Sequence, residues 1–378
     1  MIKQFSSCGY LIRCHFKGTK KFLSCSQNIL TSRSFMSSEN RQEFLKQWIN
    51  KSELISIENI ELLAGDASFR KYFRVSGKLR DDAEKSTLVL VDAPPPESLE
   101  PFVSVAMAYE EQGVRVPRIY LSDENLGAML LEDIGDRLLL SDTNNNIEAV
   151  TQRYKQAIDL LPGVMAVTGT RQGDLPPYNE ELLARENALF KDWLLEQYLG
   201  LTLDHEELKL WTEFSTQLTQ KALAQQQVGV HRDYHSRNLM VNEQNELVAI
   251  DFQDAVVGPI SYDLVSLVRD CYVDWPAELV ENLLGYGFDT LRKHNLLNSS
   301  CSAAQFQSDF DWMGMQRHTK ASGIFARLFL RDGKAGYLND IPHTVNYLLA
   351  VSAQYPECAE YHDWLKSRVV PALNKVSS

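Results

Sequence analysis

Residues 230–238 have the sequence VHRDYHSRN. This stretch leads into two short apolar runs, 239–241 and 248–250, joined by the turn-forming residues NEQN at 242–245. Two apolar runs of similar length around a polar turn predict a β-hairpin. Because the two ends of a hairpin lie side by side, the loop before the first run is expected to meet Asp251, which follows the second run.

The side chains expected to converge at the open end of this hairpin suit phosphate chemistry. Asn238 and Asp251 would bring an amide oxygen and a carboxylate together, and Mg²⁺ bound to substrate phosphates takes only one or two protein oxygens. Asp233, on the same loop, is placed to accept the proton of an attacking hydroxyl. Any one of these residues alone is most simply a turn-capping residue. All three together, in this order around a hairpin, favour a catalytic site.

Two further residues of the same region are expected to be structural. His231 is expected to brace the loop rather than to take part in catalysis. Asp263, near a helix start, is expected to orient backbone amides rather than to serve as a third metal ligand.

The order of elements predicts an α+β, two-lobed chain. After a capped amphipathic helix that begins at Ser38, the pattern gives a small antiparallel sheet carrying one helix, then long helical segments from about residue 145. The segment EDIGD at 132–136 is the natural hinge. We expect a leader at 1–38, a nucleotide-binding lobe at 39–133 and a helical lobe at 134–378. The expected strands are 56–63, 69–75, 87–91, 118–122 and 127–132, with a helix at 97–112.

The motifs resemble a known family. HRDxxxxN followed by Asp-Phe after a short hairpin resembles the catalytic core of the protein-kinase-like fold. The sequence GPISYDL at 258–264 resembles its aminoglycoside phosphotransferase and choline kinase branch, which lacks the activation loop. The runs 65–75, 91–95 and 231–269 are most similar to anomeric kinases of cell-wall sugar recycling. The resemblance spans roughly 40–375.

This resemblance implies an activity, cofactors and partners. It implies ATP- and Mg²⁺-dependent phosphorylation of the anomeric (C1) hydroxyl of N-acetylmuramate and N-acetylglucosamine, with Asp233 as base and Asn238 and Asp251 as metal ligands. It also implies that adenine bonds to backbone near Leu131 and Glu132. Another hydroxyl acceptor (choline, homoserine, an aminoglycoside or a different sugar) is the alternative substrate. A nucleotide-binding pseudokinase is the alternative from a different class.

One part of the kinase pattern is missing. The third predicted strand, LVLVD at 88–92, carries no lysine, and the helix turns at 102–108 carry no glutamate to pair with it. The joint loss is physically reasonable, since one buried charge left alone is costly. Arg70, Lys71 and Arg74 are the candidates for the phosphate contact, and a solvated strand face is the competing interpretation.

The glycine-rich loop is reduced to GDAS at 65–68. Gly65 would allow a tight turn, and the amides of Ala67 and Ser68 would bind phosphate.

The resemblance implies that the acceptor site lies in the helical lobe. Glu186 belongs to one unusual cluster there, and Arg317 and Lys320 belong to a basic one in an otherwise acidic protein. A guanidinium or ammonium group suits the lactyl carboxylate of N-acetylmuramate. A solvated helix with i,i+4 pairs is the competing interpretation.

Composition narrows the class of protein. The formal net charge of −12 argues against nucleic acid or an anionic membrane as a partner, and no obligate protein partner is indicated. The six cysteines contain no Cys-x-x-Cys pair, which fits neither a zinc site nor a disulfide framework and suggests a reducing, cytoplasmic setting.

Residues 1–38 contain six basic residues and no acid. They are either an extension upstream of a true start at Met36 or a transit peptide.

Overall fold

The computed structural model describes residues 38–65, 70–80, 87–143 and 146–377. The chain divides into two compact units, 1–51 and 52–378. Most of the leader falls outside the described residues. Helix α1, Ser38–Ser52, begins at the residue that the sequence predicts.

The first half of the larger unit is a five-stranded antiparallel sheet with one helix. Its spatial order is β1-β2-β3-β5-β4. The elements are β1 Ile55–Gly65, β2 Lys71–Leu79, β3 Thr87–Asp92, α2 Glu100–Glu111, β4 Ile119–Asp123 and β5 Ala128–Glu132. The predicted strands and helix are confirmed to within a few residues at each end.

Alternation along the strands separates the two faces of this sheet. Tyr72 of β2, Val91 of β3 and Leu131 of β5 belong to a core that continues into the helical lobe. Helix α2 packs into the same core through Phe102 and Tyr109. A single core therefore holds the sheet lobe against the elements on either side of the loop 231–238.

Helix α2 is fixed at its start by a group from another element. The carboxylate of Glu124 accepts the backbone N–H of Leu99 at 3.1 Å and the hydroxyl of Ser98 at 2.8 Å. A negative charge there satisfies an otherwise unpaired amide and complements the helix dipole.

The second half is mainly helical. A long helix, α9 (Ala303–Asp332), runs through its centre. Gly323 of this helix leaves no room for a side chain, since a Cβ there would lie 2.3 Å from the carbonyl carbon of Leu189. The elements are α3 Leu139–Asp142, α4 Ile147–Met165, β6 Gly169–Thr170, β7 Gly173–Asp174, α5 Glu180–Leu189 continued by a π-helix Phe190–Tyr198, α6 His205–Leu223, β8 Gln227–Val230, β9 Leu239–Val241, β10 Leu247–Ala249, β11 Val256–Pro259, α7 Tyr262–Val268, α8 Ala277–Lys293, α9 Ala303–Asp332, a 3₁₀ turn Ala335–Asp340, α10 Ile341–Ser352, a 3₁₀ turn Pro356–Cys358, α11 Ala359–Trp364, a π-helix Leu365–Val369 and α12 Val370–Ser377.

The predicted α+β, two-lobed fold is thus confirmed. The exact boundary between the lobes at 133/134 stays a prediction, because both lobes share one core within 52–378. Within the described residues, no helix is both long and apolar enough to cross a membrane.

Candidate active site

The ends of the β9–β10 hairpin meet as the sequence predicts. Ile250 N–H donates to the carbonyl oxygen of Asn238 at 3.0 Å, which closes the open end. The side-chain amide of Asn238 then donates to the carbonyl of Asp233 at 3.0 Å and lies 3.3 Å from the Asp251 carboxylate. The three residues of the expected catalytic set are therefore in one place.

The Asn238–Asp251 pair fits Mg²⁺ better than a metal that needs many protein ligands. It offers one carboxylate and one amide oxygen, the hard donors that Mg²⁺ prefers. In the described part of the chain there is no cluster of three His, Cys, Asp or Glu side chains of the kind a zinc site requires. Gln253 donates to the second oxygen of Asp251 at 2.8 Å and so orients the carboxylate.

The backbone is strained at both ends of the segment 232–251, which contains the loop and the hairpin. Arg232 has a φ of 77° and Asp251 a φ of 63°, a left-handed conformation that costs a non-glycine residue about 1–3 kcal/mol. Such conformations persist when surrounding contacts determine them. Here Asp263 accepts the N–H groups of His231 at 2.7 Å and Arg232 at 3.1 Å. The expectation that Asp263 orients backbone amides is confirmed.

A second buried carboxylate holds the middle of the loop. Asp270 accepts the backbone N–H of Ser236 at 3.0 Å and its hydroxyl at 2.5 Å. It also accepts the N–H of Tyr272 at 3.0 Å, which ties the loop to the segment after α7. No sequence pattern singled out Asp270 or Tyr272.

The His231 side chain is packed among rings. It stacks on Tyr109 of α2 with ring centroids 6.2 Å apart and contacts Tyr234 and Phe252 edge-on. Burial lowers the pKa of His231 to about 4, so its ring is neutral near pH 7. This environment agrees with the expected bracing role.

A cavity opens beside Asp233 in the helical lobe. Arg317 and Lys320, on successive turns of α9, line it together with Asp233. Both are largely buried, with 8% and 9% of their surface exposed. The competing interpretation of a solvated helix face is therefore wrong. The other lining residues are His235, Asp270, Cys271, Tyr272, Ala321, Ile324 and Phe325.

Asp233 is held in its ionised form. Burial by itself would raise its pKa, but the charges of Lys320 and then of His235 and Arg317 outweigh this, and the pKa lies below its usual value. A carboxylate facing this cavity is thus ready to accept a hydrogen bond from a hydroxyl.

Glu186, on α5, lies behind the cavity wall and is not among the described residues that line it. Its carboxylate is 3.2 Å from the ammonium nitrogen of Lys320. It also accepts hydrogen bonds from Arg232 and from the hydroxyl of Tyr178. A direct substrate contact by Glu186 stays a prediction, but its observed partners are protein groups.

On the nucleotide side, Gly65 ends β1 opposite Lys71, and Ala67 and Ser68 lie outside the described residues. Arg70, just before β2, forms an ion pair with Glu97 at 3.0 Å, with side chains only 13% and 17% exposed. Glu97 lies in the turn that leads to α2.

The two other basic candidates on β2 have different environments. Lys71 is exposed. Arg74 is bound to the hinge, with its Nε 2.6 Å from Asp133 and its Nη2 2.9 Å from Asp136. Arg74 therefore joins the sheet to the hinge, and a phosphate contact by Arg70 or Lys71 stays a prediction.

The expected adenine contacts lie at the end of β5, in front of the hinge. Leu131 is a sheet residue of the shared core. The Glu132 N–H already donates to the carbonyl of Arg118 at 2.8 Å, and its carboxylate pairs with Arg115 at 2.5 Å. A contact between adenine and the backbone near these residues stays a prediction.

Comparison with known proteins places this geometry in a family. Residues 59–297 match the model of the phosphotransferase enzyme family. The chain is 40% identical over 305 residues to an N-acetylmuramate/N-acetylglucosamine kinase of Pseudomonas aeruginosa, covering 80% of this chain and 87% of that protein. It is 36% identical over 321 residues to a Neisseria meningitidis protein of the same name, covering 84% and 93%.

Solved structures agree on the fold. The choline kinase LicA from Streptococcus pneumoniae has a TM-score of 0.55 at 14% identity, covering 83% of this chain and 99% of that one. The ADP-bound aminoglycoside phosphotransferase APH(2'')-Ib has a TM-score of 0.54, also at 14% identity, covering 82% and 98%. The family model matched over 59–297 and the relatives at 36–40% identity show that the chain belongs to the phosphotransferase enzyme family.

Proposed function

We propose that this protein transfers the γ-phosphoryl group of ATP to the anomeric (C1) hydroxyl of N-acetylmuramate and N-acetylglucosamine in the cytoplasm, feeding the recycling of peptidoglycan precursors. The observation that carries the proposal is that Asp233 shares a cavity with two buried cations, Arg317 and Lys320. The names of the two bacterial relatives support the choice of sugar.

The chemistry needs a positioned base more than a strong one. The acceptor oxygen forms a bond to the γ-phosphorus while the bond from that phosphorus to the β,γ-bridging oxygen breaks, and ADP leaves. Asp233 orients the hydroxyl and takes its proton. A lowered pKa suits this role, because the proton moves late, when the acceptor oxygen has become much more acidic.

Asn238 and Asp251 would hold Mg²⁺, which would neutralise charge on the phosphates when bound. Arg70 would contact a phosphate in place of the missing strand lysine. Glu97 would hold its guanidinium as the helix glutamate holds the lysine in kinases that have the pair. The amides at 65–68 would complete the phosphate contacts.

The residues that line the cavity include groups suited to two substituents of the sugars. Arg317 and Lys320 suit the lactyl carboxylate of N-acetylmuramate. Tyr272, Ile324 and Phe325 form an apolar wall suited to the acetyl methyl group. Two buried cations disfavour the polycationic aminoglycosides, which require carboxylates instead. The complete set of Asp233, Asn238 and Asp251 disfavours a pseudokinase.

An assay of ADP release tests the proposal. Purified protein with ATP and Mg²⁺ is offered N-acetylmuramate, N-acetylglucosamine, choline and kanamycin separately. We expect turnover with the two sugars alone. Asp233→Asn should lower that turnover by about 10²–10⁴-fold with ATP affinity largely kept. Turnover with choline or kanamycin instead would overturn the substrate, and near-normal turnover by the variant would remove Asp233 from its role.

A further inference from the structure

The acceptor pocket faces an electrostatic problem, because its two proposed sugars differ by one charge. N-acetylmuramate carries a carboxylate and N-acetylglucosamine does not. Arg317 and Lys320 line the cavity and are largely buried. A pocket with uncompensated buried cations would favour the anionic sugar strongly, since a neutral ligand displaces water from those cations and gives no charge in return.

The structure places a compensating charge behind one of the two cations. The Glu186 carboxylate, only 7% exposed, lies 3.2 Å from Lys320 Nζ. Lys320 also donates to the hydroxyl of Tyr262 at 3.2 Å. An ammonium group has three N–H donors. With these two partners on the protein side, Lys320 keeps a donor for a ligand while its charge is already paired.

The carboxylate is itself held firmly in position. Arg232 and the hydroxyl of Tyr178, which lie in two separate loops, donate hydrogen bonds to it. Burial would raise the pKa of Glu186, but Lys320 and then Arg232 lower it below its usual value, so the group is ionised. Burial would likewise lower the pKa of Lys320, but Glu186 and Tyr262 raise it. Both members of the pair are charged.

The second cation of the cavity is anchored differently. Arg317 Nη1 donates to the carbonyl of Arg232 at 3.0 Å, and its guanidinium lies over the ring of Tyr262 at 4.7 Å. No carboxylate partner within salt-bridge distance is recorded for it among the described side chains. Among the described side chains, Arg317 thus has no directly paired carboxylate, although the charge of Asp233 acts on it, whereas the charge of Lys320 is paired directly with Glu186.

We propose that Glu186 is the built-in counter-ion of Lys320, and that this pairing allows one pocket to accept a neutral as well as an anionic amino sugar. The inference rests on the proposed function. Glu186 is on this account a positioning residue that sets specificity through Lys320 without touching the sugar.

The test is the ratio of kcat/KM for N-acetylmuramate to kcat/KM for N-acetylglucosamine. Glu186→Gln keeps the shape of the side chain and removes its charge. We expect it to raise this ratio about ten-fold, mainly through a higher KM for the neutral sugar and a lower KM for the anionic one. A merely structural role would lower both activities together and leave the ratio unchanged.

Three further variants sharpen the measurement. Lys320→Met should lower the ratio about ten-fold, and it tests the idea even if Glu186→Gln does not fold, because Arg232 still pairs with Glu186. In the Lys320→Met background, adding Glu186→Gln should move the ratio little, since the effect passes through Lys320. Glu357→Gln is the matched control, because Glu357 is 45% exposed and lies 3.9 Å from Lys221, outside the cavity.

The outcomes separate this inference from the proposed function. If the unaltered protein phosphorylates both sugars but neither Glu186→Gln nor Lys320→Met shifts the ratio by more than about two-fold, the counter-ion role is overturned and the function stands. If the unaltered protein phosphorylates neither sugar, the proposed function fails and the inference fails with it. Opposite shifts in the two single variants support the inference.

Discussion

At the residue scale, the Asn238–Asp251 pair makes the sharpest prediction. Asp251→Ala removes the only charged member of the proposed metal pair, so we expect turnover to fall by at least about 10²-fold and its response to Mg²⁺ to flatten. Asp254→Ala is the control, because Asp254 is an exposed carboxylate three residues further along the chain. The measurement is turnover against Mg²⁺ concentration. An unchanged Mg²⁺ response in Asp251→Ala would assign the metal to other ligands.

A second residue-scale prediction concerns acid stability. The unfolded chain protonates His231 near pH 6.5, whereas burial lowers the pKa in the folded protein to about 4. Between these values the unfolded state binds a proton that the folded state does not, so stability falls as the pH is lowered. The full effect is about 3 kcal/mol.

We therefore expect the free energy of unfolding of His231→Phe to fall less than that of the unaltered protein between pH 7 and 4. Asp263, whose pKa is raised to about 7, has the opposite effect: the folded state binds a proton that the unfolded state does not, so this group increases stability as the pH is lowered. It is present in both proteins, so the difference between them is the quantity to measure by denaturant titration. His294→Phe, at an exposed histidine, is the control. Parallel pH curves for His231→Phe and the unaltered protein would show that His231 titrates normally.

The sequence indicated some residues of the site and missed others for a physical reason. Asp233, Asn238 and Asp251 follow from local spacing around a hairpin. Arg317 and Lys320 have the pattern of a solvated helix, and only the fold shows that α9 is buried there. The burial of Lys320 depends on its pairing with Glu186, which lies more than a hundred residues away in the sequence, so no local pattern reports it.

At the element scale, Arg74 connects strand β2 to the hinge through two unequal partners. Asp133 is 5% exposed and Asp136 is 78% exposed. Exposed ion pairs contribute little, whereas a hydrogen bond to a buried charge contributes more. We expect Asp133→Asn to cost about 2 kcal/mol of stability and Asp136→Asn less than about 1 kcal/mol. Thermal or denaturant unfolding measures both, and equal costs would contradict the unequal roles.

The ion pair between Arg70 and Glu97 predicts an effect on the kinetics of ATP use. If Arg70 contacts a phosphate, Arg70→Gln should lower kcat/KM for ATP roughly 10- to 100-fold. Glu97→Gln should act in the same direction but less strongly, because it only orients Arg70. Arg80→Gln is the control, since Arg80 is 64% exposed and pairs with Glu53. If the ATP kinetics of Arg70→Gln are unaltered, Arg70 does not contact a phosphate and the Arg70–Glu97 ion pair is only structural.

Most elements were predictable because their hydrophobic periodicity is local. The way α2 is held to the catalytic loop was not. In place of a lysine–glutamate pair, Phe102 of α2 packs on Phe252 with ring centroids 4.6 Å apart, and Tyr109 packs on the same ring at 5.6 Å. Contacts between residues 150 positions apart depend on tertiary packing, so the absence of the ion pair was visible in the sequence but its replacement was not.

At the scale of the whole molecule, the order of elements was sufficient to predict two lobes. Strands joined by short connections form the antiparallel sheet, and the long helical patterns form the other lobe. The order of elements does not predict the cavity between the loop 231–238 and α9, because the residues that line it come from separate segments near 233, 271 and 320. The identity of the acceptor is therefore the part of the account that most needs a measurement.

The most direct test of the central claim is phosphorus NMR of the product formed from N-acetylmuramate or N-acetylglucosamine with ATP and Mg²⁺. We expect a new sugar phosphate whose phosphorus couples to the anomeric proton, with one ADP formed for each phosphate transferred. Phosphate on another hydroxyl of the sugar, or ADP formed without any sugar phosphate, would contradict this expectation.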